Sequence, residues 1–248
     1  MSGTLYLIPN TLGNEPSDDP LGLLIPDGVL SVTAKLTYFI AENAKSIRAY
    51  LKLVAATHPL TKPLQEIRIS ELNVNTDASA LPALLAPLLA GEDAGLISEA
   101  GVPAVADPGA NLVRLAHQHG IQVKPLVGPS SLLLAVMASG LNGQSFAFNG
   151  YLPTDAGQRA KRIKTLEERS RLEKQTQLFI ETPYRNGALL EAIVTTCHAN
   201  TLVCVATDLS LSSESIRTQA AGKWMADLKT GKTPDFHKKP TVFLFLAN

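Results

Sequence analysis

Short apolar, β-prone runs alternate along the chain with stretches in which apolar positions return every three or four residues. In the first half the runs predict strands at Leu5–Ile8, Leu36–Ala41, Glu66–Leu72, Ala94–Ser98 and Ile121–Leu126. Between them the helical pattern covers Lys45–Ala55, Asp77–Ala90 (with two internal prolines) and Asn111–His119, and Gly120 stands where a helix C-cap belongs. The second half opens on "GPSSLLLAVMASG", with Pro129 placed for a first helical turn and Gly140 for the end of that helix. A strand-like "FAFNGYLP" follows, then a charged helix at Asp155–Glu173, a strand at Gln177–Ile180, a helix at Arg185–Cys197 and strands at Thr201–Thr207, Glu214–Ala220 and Thr241–Leu246. Alternation with short connections is the pattern of an α/β layer structure with a largely parallel sheet. The length suits two α/β domains, residues 1–127 and 128–248, with mostly parallel or mixed sheets. No internal repeat and no low-complexity linker is evident.

Composition narrows the setting. The 248 residues are 45% hydrophobic and 18% charged, and no apolar run reaches the ~20 residues that cross a bilayer. The start, "MSGTLYLIPN", lacks the basic and apolar blocks of a signal peptide, so a soluble, cytoplasmic protein is expected. Cys197 and Cys204 match no metal spacing and read as buried, reduced thiols. Net charge is zero, which argues against a chain dominated by polyanion binding. Residues 1–127 hold 8 Lys/Arg against 12 Asp/Glu, a net −4, and residues 128–248 hold 14 against 10, a net +4. That asymmetry fits an anionic substrate in the second half or, the plainer reading, mutual attraction of the halves.

Candidate chemistry lies in the loops. In open α/β sheets ligands sit beyond the carboxyl ends of strands. "PNTLGN" (9–14) follows the first predicted strand, "SEAGVP" (98–103) the fourth and "VGPSS" (127–131) the fifth. Glycine admits a ligand close to the backbone, and Ser130 and Ser131 bring hydroxyls and free N–H groups to a helix start. Taken singly each is an ordinary turn; three in corresponding places point to a ligand. Other signatures fail. No G-x-G-x-x-G follows the first strand, and "ADLKTGKT" has Ala226 where a P-loop needs glycine. There is no G-x-S-x-G, and the histidines at 58, 117, 119, 198 and 237 cluster with no serine or cysteine. His117 and His119 are two apart on a helix, share no face, and read as surface residues, so no zinc site is expected.

The segments "GTLYLIPNTLGN", "LISEAGVPAVADPG", "PLVGPSSLLLAVMASGL", "FNGYLP" and "IETPYR" occur in that order. Together they resemble the tetrapyrrole methylase superfamily, nearest to the branch that 2′-O-methylates a cytidine ribose in small-subunit ribosomal RNA. The likeness runs from Thr4 to Leu246 and is most specific over 96–153. It implies two α/β domains with S-adenosylmethionine in a cleft between them and a homodimer; the spacing and hydropathy read above add the expectation of no metal and no membrane. It carries the cofactor over to Leu12, Glu99, Val102, Ser130, Ser131, Tyr151, Leu152, Thr182, Ala206 and Thr241. Glu99 reads as a partner for a cofactor hydroxyl or amine in preference to a solvated loop acid. Asp107 reads as a cap for the helix that follows it.

Methyl transfer to a ribose hydroxyl needs in-line approach, exclusion of water and a base for the proton. Glu42, Asn43 and Lys45 in "AENAKS", and Arg185 in "ETPYR", are the candidate catalytic helpers; Arg185 reads equally as an ordinary helix N-terminal residue. The departures from the branch's pattern fall on the substrate side. A-E-D-T-R is "AENAK" here, S-D-A-G is "SEAG", E-S-x-H-R is "ETPYR" with Tyr184 at the histidine position, A-R-E-L-T-K is "ATDLSL", and the K-G-E before the last strand is "KKP". A lost arginine removes a bidentate phosphate clamp that lysine replaces in part. The charged run 159–174 reads as a solvated helix face before an RNA contact. The expected activity is ribose methylation in ribosomal RNA or the small subunit. The alternatives are a methyltransferase acting on a small molecule or protein and an S-adenosylmethionine-binding protein with a decayed catalytic wall.

Overall fold

The computed structural model describes residues 2–13 and 20–248, so Asn14 of the first candidate loop lies outside the described residues. Among these residues no helix is long and apolar enough to cross a membrane. The chain divides into two compact units, Met1–Ser130 and Ser131–Asn248.

In the first unit five strands are joined by four helices: β1 (Thr4–Ile8), α1 (Asp27–Lys35), β2 (Tyr38–Ala41), α2 (Ala44–Thr57), β3 (Arg68–Glu71), α3 (Leu81–Leu89), β4 (Ala94–Ile97), α4 (Gly109–Gln118) and β5 (Gln122–Pro125). The sheet order is β3-β2-β4-β1-β5, and every pairing is parallel. β2 and β4 are buried at every position, as a parallel sheet covered on both faces requires. Alternate residues feed two cores. Phe39 and Ile8 pack with Val29 and Leu30 of α1 and Leu51 and Val54 of α2. Tyr38, Ile40 and Leu5 pack with Leu85 and Leu88 of α3 and Leu112 of α4. The connections leaving the neighbours β2 and β4 therefore run to opposite faces, which makes the carboxyl ends of those two strands a topological switch point.

The second unit contains α5 (Ser131–Ser139), β6 (Phe146–Tyr151), α6 (Ala156–Glu173), β7 (Thr176–Ile180), α7 (Asn186–Thr196), β8 (Leu202–Thr207), β9 (Ser215–Ala220), α8 (Ala221–Thr230) and β10 (Thr241–Leu246). Its sheet, β6-β7-β10-β8-β9, is mixed: only β6 and β7 pair in parallel, and β10 and β9 run antiparallel to their neighbours. Phe243, Phe245, Phe179, Val203 and Val205 face a core closed by Ile163 and Leu166 of α6, Leu190 and Ile193 of α7 and Trp224 of α8. Trp224 is fully buried and donates its indole N–H to the Val203 carbonyl at 2.9 Å.

Several elements differ from the sequence expectation. Two helices, α1 and α8, lie in stretches assigned to none. The proline-bearing segment at 77–90 is a 3-10 turn, Ala78–Ala80, leading into α3, with Pro82 in the first turn where its missing N–H costs nothing. Pro129 precedes α5 and is not in its first turn. The segment that resembled a P-loop is the last turn of α8, with Gly231 in the left-handed C′ position at φ 65°. His117 and His119 are both exposed, and Cys197 and Cys204 are free, buried thiols that burial pushes up in pKa.

Candidate active site

In the first unit the loops that leave β1, β2, β4 and β5 gather at one sheet edge. Asn10 and Gly101 form a bridge across the first and third of these. Asn10 N–H donates to the Gly101 carbonyl at 2.8 Å, and Gly101 N–H to the Thr11 carbonyl at 3.2 Å. The Asn10 carboxamide also donates to the carbonyls of Ser98 and Glu99, at 3.2 and 3.0 Å. Gly101 has φ 68°, and a methyl built on it would lie 3.2 Å from Leu12 Cδ2 and 3.6 Å from the Pro129 carbonyl oxygen. Residues 98–103 and the start of 127–131 thus share one neighbourhood, as a common ligand would need.

The 101–107 loop is held in an uncommon conformation. Ala104 and Ala106 also adopt left-handed φ, 65° and 63°, at a cost of about 1–2 kcal/mol each for a residue with a Cβ. Asp107 offsets that cost: its Oδ1 accepts from Ala104 N at 2.8 Å and from Gly109 N at 2.9 Å. It thereby satisfies a free N–H at the start of α4, the capping role expected of it, although the formal N-cap residue is Pro108.

The acids gather beside this loop. Glu42 is half-buried and accepts from Glu99 N–H at 3.4 Å, and Ser46 donates to Glu99 Oε2 at 2.9 Å. Burial, above all, raises the Glu42 pKa, with Asp107 and Glu99 adding repulsion; burial likewise raises Asp107. Asn43 is not free for catalysis, since its Oδ1 caps α2 by accepting from Lys45 N at 2.8 Å. Lys45 itself is exposed and makes no ion pair among the described residues.

A raised carboxyl pKa means that the folded state binds the proton more tightly than the unfolded chain. The Glu42 contribution to stability is therefore present at acid pH and lost as pH rises through the folded pKa. Glu42→Gln is expected to raise the melting temperature at pH 7–8 and to leave it unchanged at acid pH, read as melting temperature against pH. A uniform offset at every pH would contradict the burial argument.

In the second unit the candidates line another sheet edge. Cross-strand partners run in a row from Tyr151 to Ile180, to Val242, to Ala206, so the carboxyl ends of β6, β7 and β8 meet the start of β10. The β6–β7 register breaks between Phe148 and Tyr151, where Gly150 has φ 63° and open space beside it. Tyr151 is exposed, whereas Leu152 and Thr241 are buried and Ala206, paired on both sides within the sheet, is fully so. Thr182 is exposed, and Ser131 begins α5.

Arg185 lies in a 3-10 turn, Pro183–Arg185, and not in α7 as expected. Its guanidinium folds back onto Glu181, whose Oε1 accepts from Arg185 Nη2 at 2.6 Å and from Arg185 Nε at 3.1 Å. The same oxygen accepts from Thr182 N–H at 2.7 Å. Glu181 was not singled out from sequence, although an acid placed directly after an apolar strand and before Thr-Pro is a signal that could have found it. A second buried polar group escaped notice as well. Asn186 Nδ2 donates to the carbonyls of Phe236 and Lys239 at 2.9 and 2.8 Å, which ties the loop before β10 to the turn after β7. Among the described residues no group of three His, Cys, Asp or Glu is placed to hold a metal ion.

No protein-family model matches the sequence. The fold resembles that of the methyltransferase CobJ, at a TM-score of 0.62 and 16% identity over 99% of this chain and 95% of that one. At that identity the likeness is one of fold. Among curated proteins, the ribosomal RNA small subunit methyltransferase I of Pseudomonas aeruginosa is 31% identical over 217 residues, 88% of this chain and 70% of that protein. The Mesorhizobium japonicum protein of the same name is 37% identical over 151 residues, 61% of this chain and 50% of its own length. The chain belongs to the ribosomal RNA small subunit methyltransferase I family, and its class is that of S-adenosylmethionine-dependent methyltransferases.

Proposed function

We propose that the protein transfers a methyl group from S-adenosylmethionine to the 2′-hydroxyl of a ribose in small-subunit ribosomal RNA. The observation that carries this reading is the strapped set of strand-end loops in the first unit, with the Asn10–Gly101 bridge and the Glu42–Glu99 pair at its centre. The residues present suit such a cofactor. Glu99 keeps Oε1 unpartnered among the described residues for a hydroxyl or amine, and Leu12 and Val102 offer apolar surface. Ser130 and Ser131 bring hydroxyls and N–H groups to the start of α5 for a carboxylate. In the second unit the residues assigned to the cofactor are Tyr151, Leu152, Thr182, Ala206 and Thr241, of which Tyr151 and Thr182 are exposed.

When bound, the cofactor supplies an electrophilic methyl on a positively charged sulfur. The chain's own task is to orient the ribose, exclude water and take the hydroxyl proton. Glu42 is the group to accept that proton, because burial moves its pKa toward the working range of a general base. Lys45 in the first unit and Arg185 in the second are the cations assigned to the substrate. Arg185 acts through whatever its Glu181 pairing leaves free, so its contribution is positional. The same reading expects a cytoplasmic homodimer with the small ribosomal subunit as its partner.

Incubation with tritiated S-adenosylmethionine and small ribosomal subunits is expected to label the RNA fraction. Ser130→Trp, which fills the cofactor end with an indole, is expected to abolish both cofactor binding by calorimetry and labelling. Label in protein alone would reject the ribose reading. Cofactor binding without any transfer would identify a decayed enzyme. Unchanged affinity in Ser130→Trp would show the pocket to be misplaced.

A further inference from the structure

Of the five tyrosines, Tyr38 and Tyr50 are buried, whereas Tyr184 is 75% exposed in the turn after β7, between the two site candidates Thr182 and Arg185. A large aromatic ring held in water at the rim of a candidate site calls for an explanation. The Lys238 ammonium lies over the ring, 5.7 Å from its centroid. Lys238 belongs to the loop before β10 and has a left-handed φ of 60°, an unfavourable backbone state for lysine.

The two loops are fastened to each other. Lys238 N–H donates to the Pro183 carbonyl at 3.3 Å, and buried Asn186 grips the carbonyls of Phe236 and Lys239. Within the same turn, Glu181 holds Thr182 and Arg185. Lys239, next in sequence, is neutralised by Asp208 and Asp235 at 3.3 and 3.7 Å, whereas Lys238 makes no ion pair among the described residues. The structure therefore presents a firmly mounted, largely exposed ring with a cation over one face that makes no ion pair among the described residues.

A largely exposed aromatic ring with an ammonium over one face and no carboxylate on that ammonium is the equipment for holding an unstacked nucleobase, on the other face, together with its phosphate. Base–aromatic stacking contributes about 1–3 kcal/mol per base and tolerates any base identity, and the lysine adds a charge for the backbone. We infer that Tyr184 and Lys238 form a stacking platform for a single-stranded RNA base flanking the reacting ribose. This inference rests on the ribosomal RNA reading above and assigns it a contact surface.

The test uses a fluorescein-labelled single-stranded twelve-residue cytidylate RNA, with affinity read by anisotropy at fixed low salt. Calorimetry with S-adenosylmethionine runs in parallel on the same proteins. Tyr184→Ala is expected to weaken RNA binding about 5- to 150-fold, the range that stacking of one base implies. Tyr184→Phe, which keeps the ring, is expected to stay within about twofold of the unaltered protein on the same basis. Lys238→Met is expected to weaken binding and to flatten its salt dependence. None of the three is expected to change cofactor affinity, and on small subunits Tyr184→Ala is expected to raise KM while sparing kcat.

RNA affinity unchanged in Tyr184→Ala would overturn the platform and leave the RNA reading intact. Equal loss in Tyr184→Ala and Tyr184→Phe, or a parallel loss of cofactor affinity, would assign Tyr184 a structural role and overturn the platform too. If the unaltered protein neither binds RNA nor labels small subunits, the RNA reading falls and takes the platform with it.

Discussion

Trp224→Ala is expected to destabilise the protein by about 3–5 kcal/mol, the cost of removing a fully buried indole from a core that cannot close over the gap. Trp224 is the largest buried side chain, and it packs where α6, α7 and α8 meet the sheet. The loss has a polar component as well, because the Val203 carbonyl loses the indole N–H. Arg217, whose guanidinium carbon sits 5.6 Å from the ring centroid, loses a neighbour on the outer side. Urea unfolding followed by circular dichroism gives the number, since the substitution deletes the only tryptophan and with it the usual fluorescence probe. Trp224→Phe separates the contributions, because it keeps much of the volume and drops the N–H. A loss under about 1 kcal/mol for the alanine variant would mean that the α6–α8 layer collapses freely onto the sheet.

Gly128→Ala is expected to damage the candidate site more than any other single methyl. A Cβ at Gly128 would fall 2.2 Å from Pro9 Cβ and 2.3 Å from Pro9 Cγ. A proline ring cannot rotate away, and Pro9 is further fixed by its carbonyl, which accepts from the buried Tyr50 hydroxyl at 3.2 Å. The loop after β5 must therefore move, carrying Ser130 with it. Overpacking of this kind costs about 1–3 kcal/mol in stability. Cofactor affinity is expected to fall at least about tenfold, the equivalent of only 1.4 kcal/mol. Gly120→Ala is the control. Its φ of 67° makes it a strained site too, but nothing lies within 4 Å of the added methyl and it stands at the far end of α4. It is expected to lower the melting temperature and leave cofactor affinity alone. Wild-type affinity in Gly128→Ala would show that the β1 and β5 loops do not cooperate in binding.

Strands were legible wherever an apolar run was short and flanked by turn residues. β10 is found at its predicted bounds, Thr241–Leu246, because "TVFLFL" fills both faces of a covered sheet. α1 was hidden by its own composition. "DGVLSVTAK" carries Val29, Val32 and Thr33, poor helix formers in isolation, and tertiary packing of Val29 and Leu30 overrides them. α8 was hidden by a glycine pattern that resembled a phosphate loop and turned out to be a helix C-terminus. Strand order in the second unit was not legible, because pairings such as Val242 with both Ile180 and Ala206 are long-range and leave no local trace.

For the site, the loops were readable from glycines and serines placed after strands, and their grouping within each unit follows from sheet order. Their partners were not. Ser46 on Glu99, Asn43 spent as a cap, and Arg185 folded onto Glu181 are contacts that depend on backbone placement, which residue type does not encode.

The paired amides of Asn10 and Gly101 bear on kinetics. A rim already stitched together before a ligand arrives diverts none of the association free energy into ordering itself. Lesions in this stitching are therefore expected to register in how long a donor stays, with its rate of arrival little changed. The residence time of the methyl donor becomes a property written into two backbone hydrogen bonds.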